Sequence, residues 1–108
     1  MAYFALTLNH GPGWDTSRPI REQAAWDEHA AFMDGLVADG FIVVGGPLGN
    51  GYRTLHLVTA DSADQIEARM KQDPWAAMRL LVIGSIEPWA LWLDGRATRS
   101  RPERDGVR

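Results

Sequence analysis

The stretch that decides the fold is residues 26–48, Trp26-Asp-Glu-His-Ala-Ala-Phe-Met-Asp-Gly-Leu-Val-Ala-Asp-Gly-Phe-Ile-Val-Val-Gly-Gly-Pro-Leu48. Its first half predicts an amphipathic helix, because apolar side chains recur at helical spacing at Trp26, Ala30, Met33 and Val37. Gly40 is expected to stop this helix. The continuous apolar run Phe41–Val44 then predicts a buried strand. A long helix leading into a central strand is therefore the unit around which the chain is organised.

His29 is the unusual residue of this helix. At 100° per residue it lies about 40° from the centre of the apolar stripe, so its titratable ring points toward the interior. The positions three and four residues away are Ala25, Trp26, Phe32 and Met33, none of which is a carboxylate. Whatever satisfies the imidazole must therefore come from elsewhere in the fold.

The remaining pattern predicts the order β-α-β-β-α-β. Strands are expected at Tyr3–Leu8, Phe41–Val44, Arg53–Thr59 and Leu80–Leu93, with Gly45-Gly46-Pro47 ending the second. Helices are expected from about Ile20 to Asp39, from the capping box Ser62/Gln65 to about Gln72, and again at Asp73-Pro74. This order is ferredoxin-like: an α+β fold with an antiparallel sheet and both helices on one face.

The second face of that sheet also needs covering. Three of the strands carry apolar residues on both faces, and five tryptophans are many for 108 residues. Two sheets packed face to face across a two-fold axis would bury this surface. We therefore expect a homodimer, or a higher homo-oligomer, of the α+β barrel type.

Composition limits the class of protein. The length fits one domain, and the absence of cysteine excludes disulfides and thiolate metal sites. No membrane span or charged leader is visible, so a cytoplasmic location is expected by default. Residues 1–93 carry six basic and eleven acidic groups, a net charge of −5, which argues against a nucleic-acid surface. We expect a domain over residues 1–95 and a flexible Arg-rich tail over residues 96–108.

Several motifs occur together in one order. A helix histidine is followed by Gly45-Gly46-Pro47, then Asp73-Pro74-Trp75, then Glu87-Pro88-Trp89. In this combination, over roughly residues 2–93, the chain resembles the YCII-related (YciI-like) family. The resemblance implies a dimeric ferredoxin-like α+β barrel and a small enzyme with a His–Asp pair in a cleft. Carried over by position, that pair is His29 and Asp73.

Acid–base catalysis is the function that these residues favour. Histidine titrates near neutral pH, and Asp73 would fix its tautomer and stabilise the imidazolium. Gly45, Gly46, Pro47 and Trp75 are the predicted substrate-binding residues, since glycine backbone allows close approach and its N–H groups can hold an oxyanion. The expected chemistry is isomerisation, elimination or proton transfer on a small organic compound, such as a cyclic or aromatic one. No cofactor is expected.

Less specific interpretations exist for the same residues. His29 can be a core histidine bonded to a main-chain carbonyl, Asp73 a helix N-cap, and Gly45-Gly46-Pro47 a turn. His56 is expected to be packed or at an interface. The histidines lack metal-ligand spacing, so a metal site is not expected. The alternative function is a non-catalytic dimeric module that binds a small molecule or serves as an accessory domain; a purely structural dimer is a third.

Overall fold

The computed structural model describes residues 1–96. It contains strands β1 (Ala2–His10), β2 (Ile42–Leu48), β3 (Arg53–Ala60) and β4 (Leu81–Pro88), a 3₁₀ turn (Ile20–Glu22), and helices α1 (Trp26–Ala38), α2 (Ala63–Met70) and α3 (Pro74–Ala77). Apart from Arg96, the predicted Arg-rich tail of residues 96–108 lies outside the described residues. No helix in residues 1–96 is long and apolar enough to span a bilayer.

The four strands form one sheet in the order β2-β3-β1-β4, and every neighbouring pair is antiparallel. Both long helices pack on one face. The core between helices and sheet is formed by apolar side chains from all layers, chiefly Phe4, Leu6, Leu8, Leu36, Phe41, Ile42, Val58, Ile66 and Met70. The ferredoxin-like α+β fold predicted from the order of elements is confirmed.

The C-terminus of α1 has the geometry expected of a glycine stop. Gly40 has a φ of 80°, its N–H donates to the Val37 carbonyl, and the Phe41 N–H donates to the Leu36 carbonyl, both at 3.0 Å. This pair of bonds is a Schellman motif, and burial of both Leu36 and Phe41 adds its usual hydrophobic contact. The motif turns the chain directly from α1 into β2.

The N-terminus of α1 was predicted wrongly. The predicted helix from Ile20 is only a 3₁₀ turn, and the α-helix begins at Trp26 after Ala25 adopts a left-handed φ of 58°. The buried Gln23 explains the interruption. Its amide donates to the carbonyls of Asp15 and Arg18 and accepts from the Asp15 N–H, so it holds the preceding loop instead of continuing a helix.

The buried face of α1 also differs from the predicted stripe. His29 and Leu36 are buried, and Phe32 and Met33 pack against the core, whereas Val37 is 55% exposed. The helix is rotated so that the histidine lies at the centre of the buried face and not at its edge. His29 is therefore more deeply buried than the apolar pattern predicted.

Two strand boundaries were also wrong. β2 continues through Gly45-Gly46-Pro47 to Leu48 and does not end at the glycines. A proline is tolerated there because β2 is an edge strand, where an N–H pointing away from the sheet has no partner to lose. β4 ends at Pro88, not Leu93. Pro88 pairs with Phe4, and β1 extends only two residues beyond Phe4 in that direction, to Ala2.

The caps of α2 and α3 follow the sequence signals closely. The Ser62 hydroxyl accepts from the Gln65 N–H, while the Gln65 side chain accepts from the Asp61 N–H instead of the Ser62 N–H. In α3, Asp73 is the N-cap and Pro74 the first helical residue, as predicted. α2 ends at Met70, two residues earlier than expected. These caps place Asp73 in the short link between the two helices.

The face of the sheet away from the helices bears on the predicted homodimer. Leu55 is half-buried on this face and Val44 is 57% exposed, while Leu57 is covered by the segment that follows β4. Trp92 and Leu93 in that segment are 90% and 97% exposed. Apolar side chains this accessible are typical of an interaction surface. The homodimer stays a prediction.

Substituting Leu55→Glu tests the predicted dimer. If the sheet face is the interface, a buried charge there should convert a dimer of the native chain into monomers, as measured by light scattering across a concentration series. Ala31→Glu, at an exposed position of α1 on the helix side of the sheet, is the control for one added negative charge. A native chain that is monomeric at high concentration would contradict the prediction.

Gly35 provides a test of helix energetics. It lies inside α1, and a Cβ built on it meets no atom within 4 Å outside the helix's own backbone, so no close contact there requires glycine. Gly35→Ala should therefore raise the free energy of unfolding by about 0.5–1 kcal/mol, by restricting the unfolded chain. Gly40→Ala should lower it, because the same side chain is strained at positive φ. A thermal or urea melt showing destabilisation by Gly35→Ala would contradict this account of α1.

Candidate active site

His29 and Asp73 meet in the interior, although 44 positions separate them. The imidazole Nδ1 lies 2.8 Å and 3.0 Å from the two carboxylate oxygens of Asp73. Only 8% of the His29 side chain and 3% of the Asp73 side chain are exposed. An ionised carboxylate can only accept hydrogen bonds, so Nδ1 carries the proton of this contact. The partner that α1 lacks on its own surface is thus supplied by the α2–α3 link.

The Asp73 carboxylate is held by a second contact. One of its oxygens, Oδ1, accepts from the Trp75 backbone N–H at 3.0 Å and thereby caps α3. Pro74 at the first helical position fixes the backbone next to it. Capping and pairing with His29 therefore operate together, and α3 orients the carboxylate before the imidazole meets it.

Trp75 fixes the plane of the imidazole. The two rings stack with centroids 3.8 Å apart and an interplanar angle of 5°. The indole Nε1–H in turn donates to the Ala24 carbonyl at 2.6 Å, just before α1 begins. Trp75 has no exposed area, so the structure places it beneath His29 and away from solvent. Its predicted substrate-binding role stays a prediction.

A further aromatic layer lies outside Trp75. The edge of Trp14 meets Trp75 with centroids 5.6 Å apart, and His10 stacks on Trp14 at 3.7 Å. The loop that carries Trp14 requires glycine: a Cβ at Gly11 would lie 2.3 Å from the Arg79 carbonyl oxygen. This loop therefore packs tightly against the start of β4 and positions Trp14 over the indole that supports the pair.

The second ring nitrogen of His29, Nε2, is the atom of the pair that is available to accept a proton. No described residue forms a hydrogen bond with Nε2, and the residue keeps 6% of its area exposed. With the proton on Nδ1, the neutral ring presents a lone pair at Nε2. An imidazole held in one plane and one tautomer by a buried carboxylate can accept a proton at Nε2 and return it.

His56 is a second buried histidine on the same side of the sheet. It lies opposite Leu6 and Gly45 in the strand register, and its Nε2 shares a hydrogen bond with the Thr54 hydroxyl at 2.9 Å. Burial lowers the pKa of His56 below its ordinary value, and repulsion from nearby His29, when that ring is protonated, lowers it further. The lowered pKa favours the neutral form of His56 beside the pair.

Successive residues of a strand face opposite sides of the sheet, so Gly45, Gly46 and Pro47 do not share one environment. A Cβ at Gly45 would lie 2.3 Å from His56 Nδ1, so the absence of a side chain there makes room for a histidine ring. Gly46 points to the opposite face, where a Cβ would meet nothing within 4 Å. The substrate-binding role predicted for these residues and Pro47 stays a prediction.

The acidic and histidine side chains of residues 1–96 form no cluster suited to a metal ion. In the described range, residues 1–96, no three such residues are grouped closely enough to hold an ion. His29 and Asp73 use their facing atoms on each other.

Sequence reasoning missed the placement of His56 and Trp14 around the pair. For His56 a signal existed, because alternation from Leu6 through the strand register places it on the helix side. Its packed environment was predicted, but its proximity to His29 was not. For Trp14 the loop offered no periodicity, so its contact with Trp75 depends on tertiary structure alone.

Comparison with known proteins gives little beyond the fold. No family model and no curated protein matches the chain, so the resemblance to the YCII-related family stays a prediction. Among solved structures it is similar to 5-chloro-2-hydroxyhydroquinone dehydrochlorinase (TftG) from Burkholderia phenoliruptrix AC1100 in complex with 2,5-dihydroxybenzoquinone. The TM-score is 0.49 at 20% identity, covering 86% of this chain and 97% of the other. A likeness of this size concerns backbone arrangement only.

The lowered pKa of His56 has a consequence for stability. The unfolded chain binds a proton at this histidine at higher pH than the folded chain, so unfolding is favoured as pH falls below about 6.5. Urea melts should show stability rising with pH across this window, by at most about 1.4 kcal/mol per pH unit for one group. His56→Gln should flatten part of that slope.

His10 is the matched control. Burial lowers the pKa of its ring as well, but His10 makes no contact with Asp73. His10→Gln should remove its own share of the slope and leave that of His56. An unchanged slope in His56→Gln would contradict the assignment of a neutral buried imidazole.

Proposed function

We propose that the chain is a small acid–base enzyme in which His29 transfers a proton at Nε2 and Asp73 orients the ring. One observation carries the proposal: a buried carboxylate fixes Nδ1 within 3.0 Å, while Nε2 has no hydrogen-bond partner among residues 1–96. The substrate class is a small organic compound with an acidic C–H beside a carbonyl, such as a cyclic one. The reaction class is isomerisation, elimination or proton exchange.

The role of Asp73 is electrostatic and positional. It accepts from Nδ1–H, which leaves the lone pair on Nε2, and it faces the positive charge that develops when Nε2 is protonated. In a site this dry the attraction is stronger than it would be in water. Trp75 limits rotation of the imidazole by stacking, so the lone pair keeps one direction.

The steps follow from these roles. Nε2 accepts the proton from the carbon next to the carbonyl, and the electron pair of the broken C–H bond moves into an enolate. In isomerisation of a β,γ-unsaturated ketone, Nε2–H returns the proton to the γ-carbon, and the double bond moves into conjugation. In elimination, the enolate instead expels a leaving group at the β-carbon, and the proton passes from Nε2 to solvent. Atoms and electrons balance in both without a redox partner.

Solvent deuterium exchange tests the proposal without knowledge of the natural substrate. The native chain in D₂O should catalyse deuterium incorporation next to the carbonyl of a cyclic β,γ-unsaturated ketone, followed by NMR. His29→Gln should abolish this activity. Asp73→Asn keeps a good N-cap but loses the charge, so exchange should fall by roughly 10²–10⁴-fold.

His10→Gln is the matched control, because it removes a histidine that does not contact Asp73. It should leave the exchange rate unchanged. Equal activity in native chain and His29→Gln across a panel of such ketones would remove the enzymatic proposal and favour the alternative, a binding or accessory module.

Stability alone does not separate these two functions. Because the pair is buried, removal of the imidazole leaves a buried carboxylate with only its capping bond, and breaking such a pair is destabilising by about 3–5 kcal/mol. A lower melting temperature of His29→Ala is therefore expected whether or not the chain is an enzyme. The proton-exchange readout is the discriminating one.

A further inference from the structure

A second site lies beneath the α2–α3 link, in a cavity that Asp73 lines and His29 does not. It is a cavity of about 210 Å³ between the helices and the edge strand β4. Its wall is apolar and comes from Leu8, Met70, Leu81 and Ile83. Engineered apolar cavities of roughly 150 Å³ hold a benzene ring, so this volume accommodates one ring with a small substituent.

The rim of this cavity is cationic. Lys71 and Arg79 line it, both residues are exposed, and neither side chain makes an ion pair or hydrogen bond with any residue in the range 1–96. The other charged residue of the lining is Asp73, whose carboxylate is already engaged by His29 and by the Trp75 N–H. Among the lining residues, the two cationic side chains therefore have no free carboxylate opposite them.

Arg79 also has an unusual backbone. Its φ is 57°, in the left-handed region that glycine adopts without strain. An arginine at such a position is disfavoured by roughly 1 kcal/mol relative to glycine. Backbone strain of this kind clusters at ligand-binding and active sites. The backbone is held by the Gly13 N–H, which donates to the Arg79 carbonyl.

We infer that this cavity binds a small organic anion, an apolar ring bearing one carboxylate. The ring lies against Leu8 and Ile83, and the carboxylate lies at the mouth between Lys71 and Arg79. A neutral ring would gain the apolar burial but not the ionic contacts, and a cation would be repelled by the rim. The inference goes beyond the proposed function, because binding here requires neither the imidazole nor turnover.

Benzoate is the probe, and its titration is followed by methyl NMR of the full-length protein. Saturable shifts are expected at the Leu8 and Ile83 methyls, with a Kd of about 1 mM for a ligand of this size. Arg79→Gly relieves the backbone strain and removes the guanidinium, and Lys71→Gln removes the only lysine of the chain. Each should weaken binding about three- to fivefold, the strength of a partly exposed ion pair.

Two controls make the result specific. Arg53→Gln removes an exposed cation that does not line this cavity and should leave the Kd unchanged. His29→Gln should retain benzoate binding, so failure of the enzymatic proposal and failure of this one are distinguishable. The inference is overturned if benzyl alcohol binds as tightly as benzoate, if Lys71→Gln and Arg79→Gly both bind like the native chain, or if no saturable shift occurs at the two methyls.

Discussion

The carboxylate of Asp73 is the group on which the arrangement of the site depends. It accepts from the first turn of α3 and from the imidazole of α1, so one side chain joins two helices that are distant in sequence. The bond to the Trp75 N–H fixes the carboxylate, and the Trp75 ring then lies flat under the imidazole it faces. Position, tautomer and ring plane of His29 are thus set by two neighbouring residues of one short helix.

The rest of the fold supports this contact. The Schellman motif at Gly40 directs the chain from α1 into β2, which orients the buried face of α1 toward the sheet. The loop carrying Trp14 closes over Trp75 because Gly11 lets it approach the start of β4. Gly45 leaves room for the His56 ring on the adjoining strand, which places a second imidazole near the pair.

Local signals in the sequence predicted much of this architecture. The helix stop at Gly40, the N-cap at Ser62 and the N-cap at Asp73 each depend on a few adjacent residues, and all were found where expected. Errors occurred where tertiary contacts override local preference. Gln23 holds a loop and delays α1, and β4 ends at Pro88 because its partner strand β1 begins only two residues before Phe4, which pairs with Pro88. The meeting of His29 and Asp73 came from a family resemblance, since no spacing argument links residues 44 positions apart.

The central claim is that Asp73 fixes the proton on Nδ1 and leaves the lone pair on Nε2. Two-dimensional ¹⁵N–¹H NMR of the imidazole nitrogens measures this directly in the neutral ring. The account predicts a protonated Nδ1 and an unprotonated Nε2 for His29 in the native chain, and loss of that preference in Asp73→Asn. A neutral His29 with its proton on Nε2, or a tautomer that Asp73→Asn leaves unchanged, would contradict it.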